Sequence, residues 1–217
     1  NLKAVNSALK AREETGYKDV IIAGSISHRY PIADGDTKSN ASIQVSKLEL
    51  QEATEEMALL LTNNGCDIIL LEMMYRPERM KIIFDIVKKL NIPIWVCFSC
   101  RKSDKGEILS LTDETVVPFS EMIAISKEYN FDAWGIMHTS EDILGECIKM
   151  IKANFNGPIL AYPDTGGWIS PNWIFDSVIE PEKFKEKANG WFALGAQIIG
   201  GCCGTSPDHI RALTTLK

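Results

Sequence analysis

The stretch DIILLEMMYRPERMKIIFDIVKKL, residues 67–90, changes its periodicity once, and that change decides the fold. Residues 67–73 form a nearly continuous apolar run of strand length, as expected of a strand covered on both faces. From Pro77 to Leu90 the pattern is helical, and it opens on Arg76-Pro77-Glu78, where a proline at the first helical position loses nothing by lacking an N–H. A strand followed by a helix is the repeating unit of a parallel sheet.

The same unit recurs on either side. Strands are expected at 19–26, 93–100, 133–138, 158–163 and 196–202, and helices at 43–63, 120–129, 141–154, 181–194 and 207–216. Six strand–helix units in strict alternation, with no nucleotide-binding glycine repeat, predict an α/β fold that is most of a (β/α)8 TIM barrel, a single domain over residues 1–217. Residues 2–14 read as a helix with no strand ahead of it, so the chain is expected to begin inside the barrel, lacking the first strands. An open six-stranded sheet is the alternative. A barrel lacking two strands exposes open sheet edges, which invite pairing with another chain, and a homo-oligomer is a candidate state. The polar loops 28–42, 101–118 and 164–180 each follow a strand, at the end of a barrel where such enzymes keep their chemistry.

With 217 residues and 45% hydrophobic content the chain can bury a sizeable core. A net charge of −6, with Lys and Arg evenly scattered, argues against nucleic-acid binding. No run approaches the ~18 apolar residues of a membrane helix, and residues 1–15 are too charged for a signal peptide. A cytoplasmic protein with small-molecule partners is therefore expected. Six cysteines are too few for a disulfide scaffold, and Cys66, Cys97 and Cys147 read as buried, reduced thiols. Cys97 and Cys100 form a C-x-x-C, but positions three apart on a strand face opposite ways. Cys100, at the strand end, is left as a pocket-lining candidate. His28 and Arg29 read as solvated loop residues, and His209 as a surface residue.

The stretch IIGGCCGT, residues 198–205, sets Cys202 and Cys203 side by side at the end of the last strand. Adjacent side chains in a regular strand face apart, so the two could not share an ion from mid-strand. Gly200, Gly201 and Gly204 release the backbone from extended geometry and let both sulfurs turn to one point. Catalytic zinc sites typically take three Cys or His ligands and keep a fourth position open.

The run GGCCGTSPDHIRAL resembles the C-terminal zinc signature of the homocysteine S-methyltransferase family, (β/α)8 barrels that methylate a zinc-bound thiol. IIAGSIS at 21–27, the ADGD of the following loop, DIILLEMM at 67–74, YPDTG at 162–166 and the closing Trp191 to Thr205 segment resemble family segments in family order. The resemblance spans essentially the whole chain and implies a Zn²⁺-dependent enzyme. It would move a methyl group from a sulfonium, ammonium or folate-type donor to a thiol such as homocysteine. The family's third zinc ligand is a cysteine in a G-V-N-C-T-S pattern. Here the aligned stretch is Gly135-Ile136-Met137-His138-Thr139-Ser140, which puts His138 in the cysteine's place. The resemblance then implies a Cys2His site of His138, Cys202 and Cys203, with one position open. Exchanging a thiolate for a neutral imidazole makes that three-ligand site less negative and its zinc a stronger Lewis acid.

Glu72 closes an apolar strand, where a carboxylate is costly unless paired or used. By resemblance it binds the substrate's amino group. Trp168 and Trp173 lie after the seventh barrel strand, where electron-rich rings suit a cationic methyl donor. Two alternatives stay open. One is a non-catalytic or divergent member that keeps the barrel but binds another ligand or no metal. The other is a structural zinc site, which needs a fourth protein ligand, for which Cys100 and Tyr162 are the candidates.

Overall fold

A computed structural model describes residues 1–28, 45–111, 115–169, 172–174 and 178–216. The chain runs α1 (Leu2–Thr15), β1 (Ala23–Ser27), α2 (Lys47–Asn63), β2 (Ile68–Met74), α3 (Pro77–Val87) and β3 (Ile94–Phe98). It continues through β4 (Cys100–Lys102), β5 (Ile108–Ser110), α4 (Phe119–Ser126), β6 (Ala133–Ser140), α5 (Leu144–Lys152) and β7 (Ile159–Asp164). The last elements are β8 (Gly167–Ile169), β9 (Asn172–Ile174), α6 (Pro181–Leu194), β10 (Ile198–Ile199) and α7 (Pro207–Leu213). Local chemistry explains several boundaries. α2 opens on a capping box in which the Glu49 N–H donates to Ser46 Oγ and the Ser46 N–H donates to Glu49 Oε2. α3, α6 and α7 each open with a proline in the first turn.

Six strands form one sheet in the order β1-β2-β3-β6-β7-β10, every neighbouring pair parallel. Spatial order therefore follows chain order. A doubly wound sheet reverses its order at a switch point, whereas a (β/α) barrel does not. The two remaining pairs are small antiparallel hairpins, β4–β5 and β8–β9, built into loops that follow β3 and β7. Apart from Cys100, which closes the expected strand at 93–100, both hairpins fall in stretches that read as loops, because three-residue strands carry too little pattern to register.

Alternation along the strands divides the apolar side chains between the faces. Ile69, Leu71, Val96, Phe98, Ile136 and Ala161 pack with Met80, Ile83, Phe84, Met122 and Ile148 of the helices into the main core. Cys97, Ala133, Met137 and Leu160 form a second cluster on the opposite face, with Leu70, Trp95, Tyr162, Ile198 and Cys202 against it. Gly135 is what lets β6 and β7 close on this face. A Cβ there would lie 2.4 Å from Leu160 Cβ and 2.9 Å from Cys97 Sγ, contacts that only a backbone shift relieves. Gly135→Ala is expected to lower the unfolding free energy by about 1–3 kcal/mol, read as a lower urea midpoint at unchanged slope.

Candidate metal centre at the carboxyl end of the sheet

β10 pairs with β7 over two residues, Ile198 with Leu160 and Ile199 with Ala161, and the glycines then lead the chain out of the ladder. Gly204 takes φ 83°, and a Cβ there would lie 2.7 Å from both Gly166 N and Thr165 Oγ1. Backbone bonds tie this turn to the end of β7. The Cys202 N–H donates to Pro163 O at 3.0 Å and the Thr165 N–H to Cys203 O at 2.9 Å. The two sulfurs are 3.9 Å apart. Asp164, the last residue of β7, lies between the two anchored residues Pro163 and Thr165 and is thereby carried to the cysteine pair.

His138 reaches the same place by a different device. Met137 belongs to the face opposite the helices, so regular alternation would turn residue 138 away from it. The β6–β7 register shifts between Met137 and Ser140, and His138 sits in that irregularity with φ 44°. A bulge of this kind re-aims a side chain, and the left-handed backbone of a non-glycine residue is the strain that accompanies it. The imidazole Nδ1 comes to 3.0 Å from Asp164 Oδ2. One ligand atom each from His138, Asp164, Cys202 and Cys203 lies within 4.8 Å of the others, a group able to hold a metal ion.

The electrostatics of the group keep it from carrying its full negative charge alone. Burial, then the Asp164 carboxylate and then Cys203 push the Cys202 thiol well above its ordinary range, so two thiolates and a carboxylate do not coexist there uncompensated. Asp164 Oδ1 is buried with no hydrogen-bond partner among the described residues. Sulfur, imidazole and carboxylate donors suit a borderline-soft divalent ion. Asp164 is the residue the sequence reading passed over. It stood in the YPDTG stretch as part of a resemblance, and the signal that could have found it was a carboxylate ending a buried strand, the reasoning applied to Glu72.

Glu72 accepts a hydrogen bond from Ser25 Oγ across β1–β2 and is followed by Met73 at φ 53°, in the second register shift of the sheet. Tyr162 lies within electrostatic reach of both this carboxylate and Cys202. Burial, Cys97, Glu72 and Cys202 all push its phenol upward, so the hydroxyl is neutral. Trp168 and Trp173 are register partners in the β8–β9 hairpin, and their side chains lie outside the described residues.

Three expectations are corrected. Cys100 does not line the pocket. It is 2% exposed, belongs to the core beneath the helices and faces Cys147 of α5, because the chain leaves the main sheet at Ser99 to start β4. His209 is buried and not on the surface. It caps the first turn of α7 through Ser206, and its Nε2 lies 2.7 Å from Ile179 O. His28 is likewise buried, edge-on to Tyr75, with the Arg79 side chain donating to its carbonyl. Arg29 lies outside the described residues.

Burial, helped by the Arg79 and Arg76 guanidiniums, pushes His28 from 6.5 down to about 3. The unfolded chain takes up a proton near pH 6.5 that folded His28 refuses until about 3. Its contribution is therefore complete above the upper value and is lost between the two, by up to about 1.4 kcal/mol per pH unit. Urea midpoints at pH 7 and pH 5 are expected to fall less for His28→Phe than for the parent. Equal drops would place the proton elsewhere.

A sequential parallel sheet with a donor group of two cysteines, a histidine and an aspartate at its carboxyl end defines a (β/α)-barrel protein with a candidate metal centre. The profile described as Homocysteine S-methyltransferase matches residues 1–216, and the chain belongs to that family. It is 25% identical over 229 aligned residues to Homocysteine S-methyltransferase 1 of Arabidopsis thaliana, covering 98% of this chain and 68% of that protein. It is 24% identical to Selenocysteine methyltransferase of Astragalus bisulcatus, covering 90% of this chain and 58% of that one. The chain thus spans between about three fifths and two thirds of these relatives. Among solved structures, the apo form of Escherichia coli homocysteine methyltransferase MmuM shares the fold, with a TM-score of 0.75 at 21% identity, over 100% of this chain and 72% of that one. Its metallated form scores 0.74 at 21% identity, over 98% and 68%. Among the described residues no helix is long and apolar enough to cross a membrane.

Proposed function

We propose that this chain is a Zn²⁺-dependent thiol S-methyltransferase built as one barrel domain, accepting a methyl group on a thiol such as homocysteine from a sulfonium, ammonium or folate-type donor. The observation that carries the reading is the convergence of His138, Cys202 and Cys203, from two distant parts of the chain, on one point. Names of relatives that act on homocysteine and selenocysteine support a sulfur or selenium acceptor. None of the six cysteines is joined in a disulfide among the described residues, which suits a reducing compartment such as the cytoplasm.

His138, Cys202 and Cys203 would hold the metal, which when bound supplies the positive charge that keeps an acceptor sulfur deprotonated. The chain's own groups do the positioning. Glu72, braced by Ser25, offers a carboxylate to the acceptor's ammonium group. Cys97, Met137 and Leu160 make the floor apolar and keep water from the sulfur. Trp168 and Trp173, on the hairpin after β7, would receive the cationic donor on their ring faces.

The test is metal analysis of the purified protein, followed by a methyl-transfer assay with homocysteine and each donor class, read by mass spectrometry. One zinc per chain and a methylated thiol are expected. A protein without bound metal, inert to all three donor classes after zinc is supplied, would support the non-catalytic alternative.

A further inference from the structure

A three-donor centre leaves Asp164 unexplained. Its carboxylate belongs to the same 4.8 Å group as the histidine and the cysteines. Oδ2 engages His138 Nδ1 at 3.0 Å, while Oδ1 is buried and unpartnered among the described residues, a costly state for a carboxylate unless a cation meets it. Charge gives an independent reason. Two thiolates and a neutral imidazole only neutralise a divalent ion, and the Asp164 carboxylate restores the net negative charge that three thiolates would give. Before an acceptor binds, the stronger Lewis acidity expected from the histidine alone is thereby offset.

We propose that Asp164 is the fourth, exchangeable donor of this centre, the one that yields to the incoming acceptor. The inference rests on the proposed zinc-thiol reading and names the element that opens the site. A carboxylate oxygen is the hard member of the set, so a soft sulfur or selenium displaces it before it displaces a thiolate. The cysteines are also fixed by backbone bonds to Pro163 and Thr165, whereas the Asp164 carboxylate is held through side chains alone, by His138 and the Cys202 thiol, contacts that can give way without moving the backbone. The acceptors that fit are thiols and selenols. An alcohol, whose oxygen has no advantage over the carboxylate, does not.

The test uses the full chain loaded with Co²⁺, as the parent, Asp164→Asn and Asp164→Ala, with circular dichroism establishing that each variant is folded. Cobalt affinity is read by competition with a chromophoric chelator, and homocysteine affinity by growth of the sulfur-to-cobalt charge-transfer band. Both variants are expected to bind cobalt about 10-fold or more weakly. Their cobalt forms are expected to bind homocysteine at least as tightly as the parent, since no donor has to leave. A residue that merely supported the fold would weaken both. Unchanged cobalt affinity in both variants, or weaker homocysteine binding to the cobalt forms, overturns the role of Asp164 while leaving a metal-binding parent intact. A parent that binds no cobalt overturns the reading of the centre itself.

Discussion

His138→Ala is expected to reduce zinc affinity by more than about 100-fold and to abolish methyl transfer. Groups that only orient a metal ligand cost about 10–100-fold when removed, and loss of a donor that stays bound throughout, unlike the exchangeable Asp164, is expected to exceed that range. The alanine variant leaves Cys202, Cys203 and Asp164, three anionic donors without the imidazole that spaces them, and burial already disfavours the Cys202 thiolate. His209→Ala is the matched control. It deletes a buried histidine that caps α7, so it is expected to cost roughly 1 kcal/mol of stability with zinc stoichiometry unchanged. His138→Cys should keep the metal, because a thiolate in the same bulge adds charge and removes none of the other donors. Equimolar metal with parental affinity in His138→Ala would show that the imidazole is not a ligand. Colorimetric zinc release and chelator competition on the three variants decide it.

The strands that carry this chemistry were legible because each is long, apolar and followed by a helix, and all six appear in the sheet. Their length at the site was not. β10 is two residues long, since Gly200 and Gly201 end the ladder earlier than the apolar run suggests. The cysteine pair could be read directly, as its glycines announce a departure from strand geometry. His138 could be placed only by resemblance. Alternation from Gly135 and Met137 assigns it to the wrong face, and the bulge at φ 44° that corrects this has no local sequence signature. Cys100 failed for the same kind of reason. A strand reading carried straight through Ser99 hides the break between β3 and β4, and that break decides which layer the thiol enters. Asp164 required two facts at once, the end of β7 and the tether of the cysteine turn to Pro163 and Thr165, and the second is a long-range contact.

Glu72→Gln is expected to raise KM for homocysteine by about 100-fold with kcat nearly unchanged. In the proposed site the Glu72 carboxylate would meet the acceptor's ammonium group, and Tyr162 has both Glu72 and Cys202 within electrostatic reach. Truncating one partner of a desolvated, hydrogen-bonded charge pair costs 2–5 kcal/mol, and the isosteric amide keeps a dipole, so the lower half of that range applies. That loss is uniform binding energy, paid in the ground state and the transition state alike, which is why it enters KM alone. Ser25→Ala, which removes the hydroxyl that donates to Glu72, should shift KM in the same direction by a few-fold, about the worth of one hydrogen bond to a charged group. An acceptor lacking the ammonium group should be indifferent to Glu72→Gln. Steady-state kinetics with homocysteine and with its des-amino analogue separate the outcomes. A kcat loss at unchanged KM would move Glu72 from binding the acceptor to assisting the transfer, and equal losses for both acceptors would mean that the carboxylate supports the sheet and not the substrate.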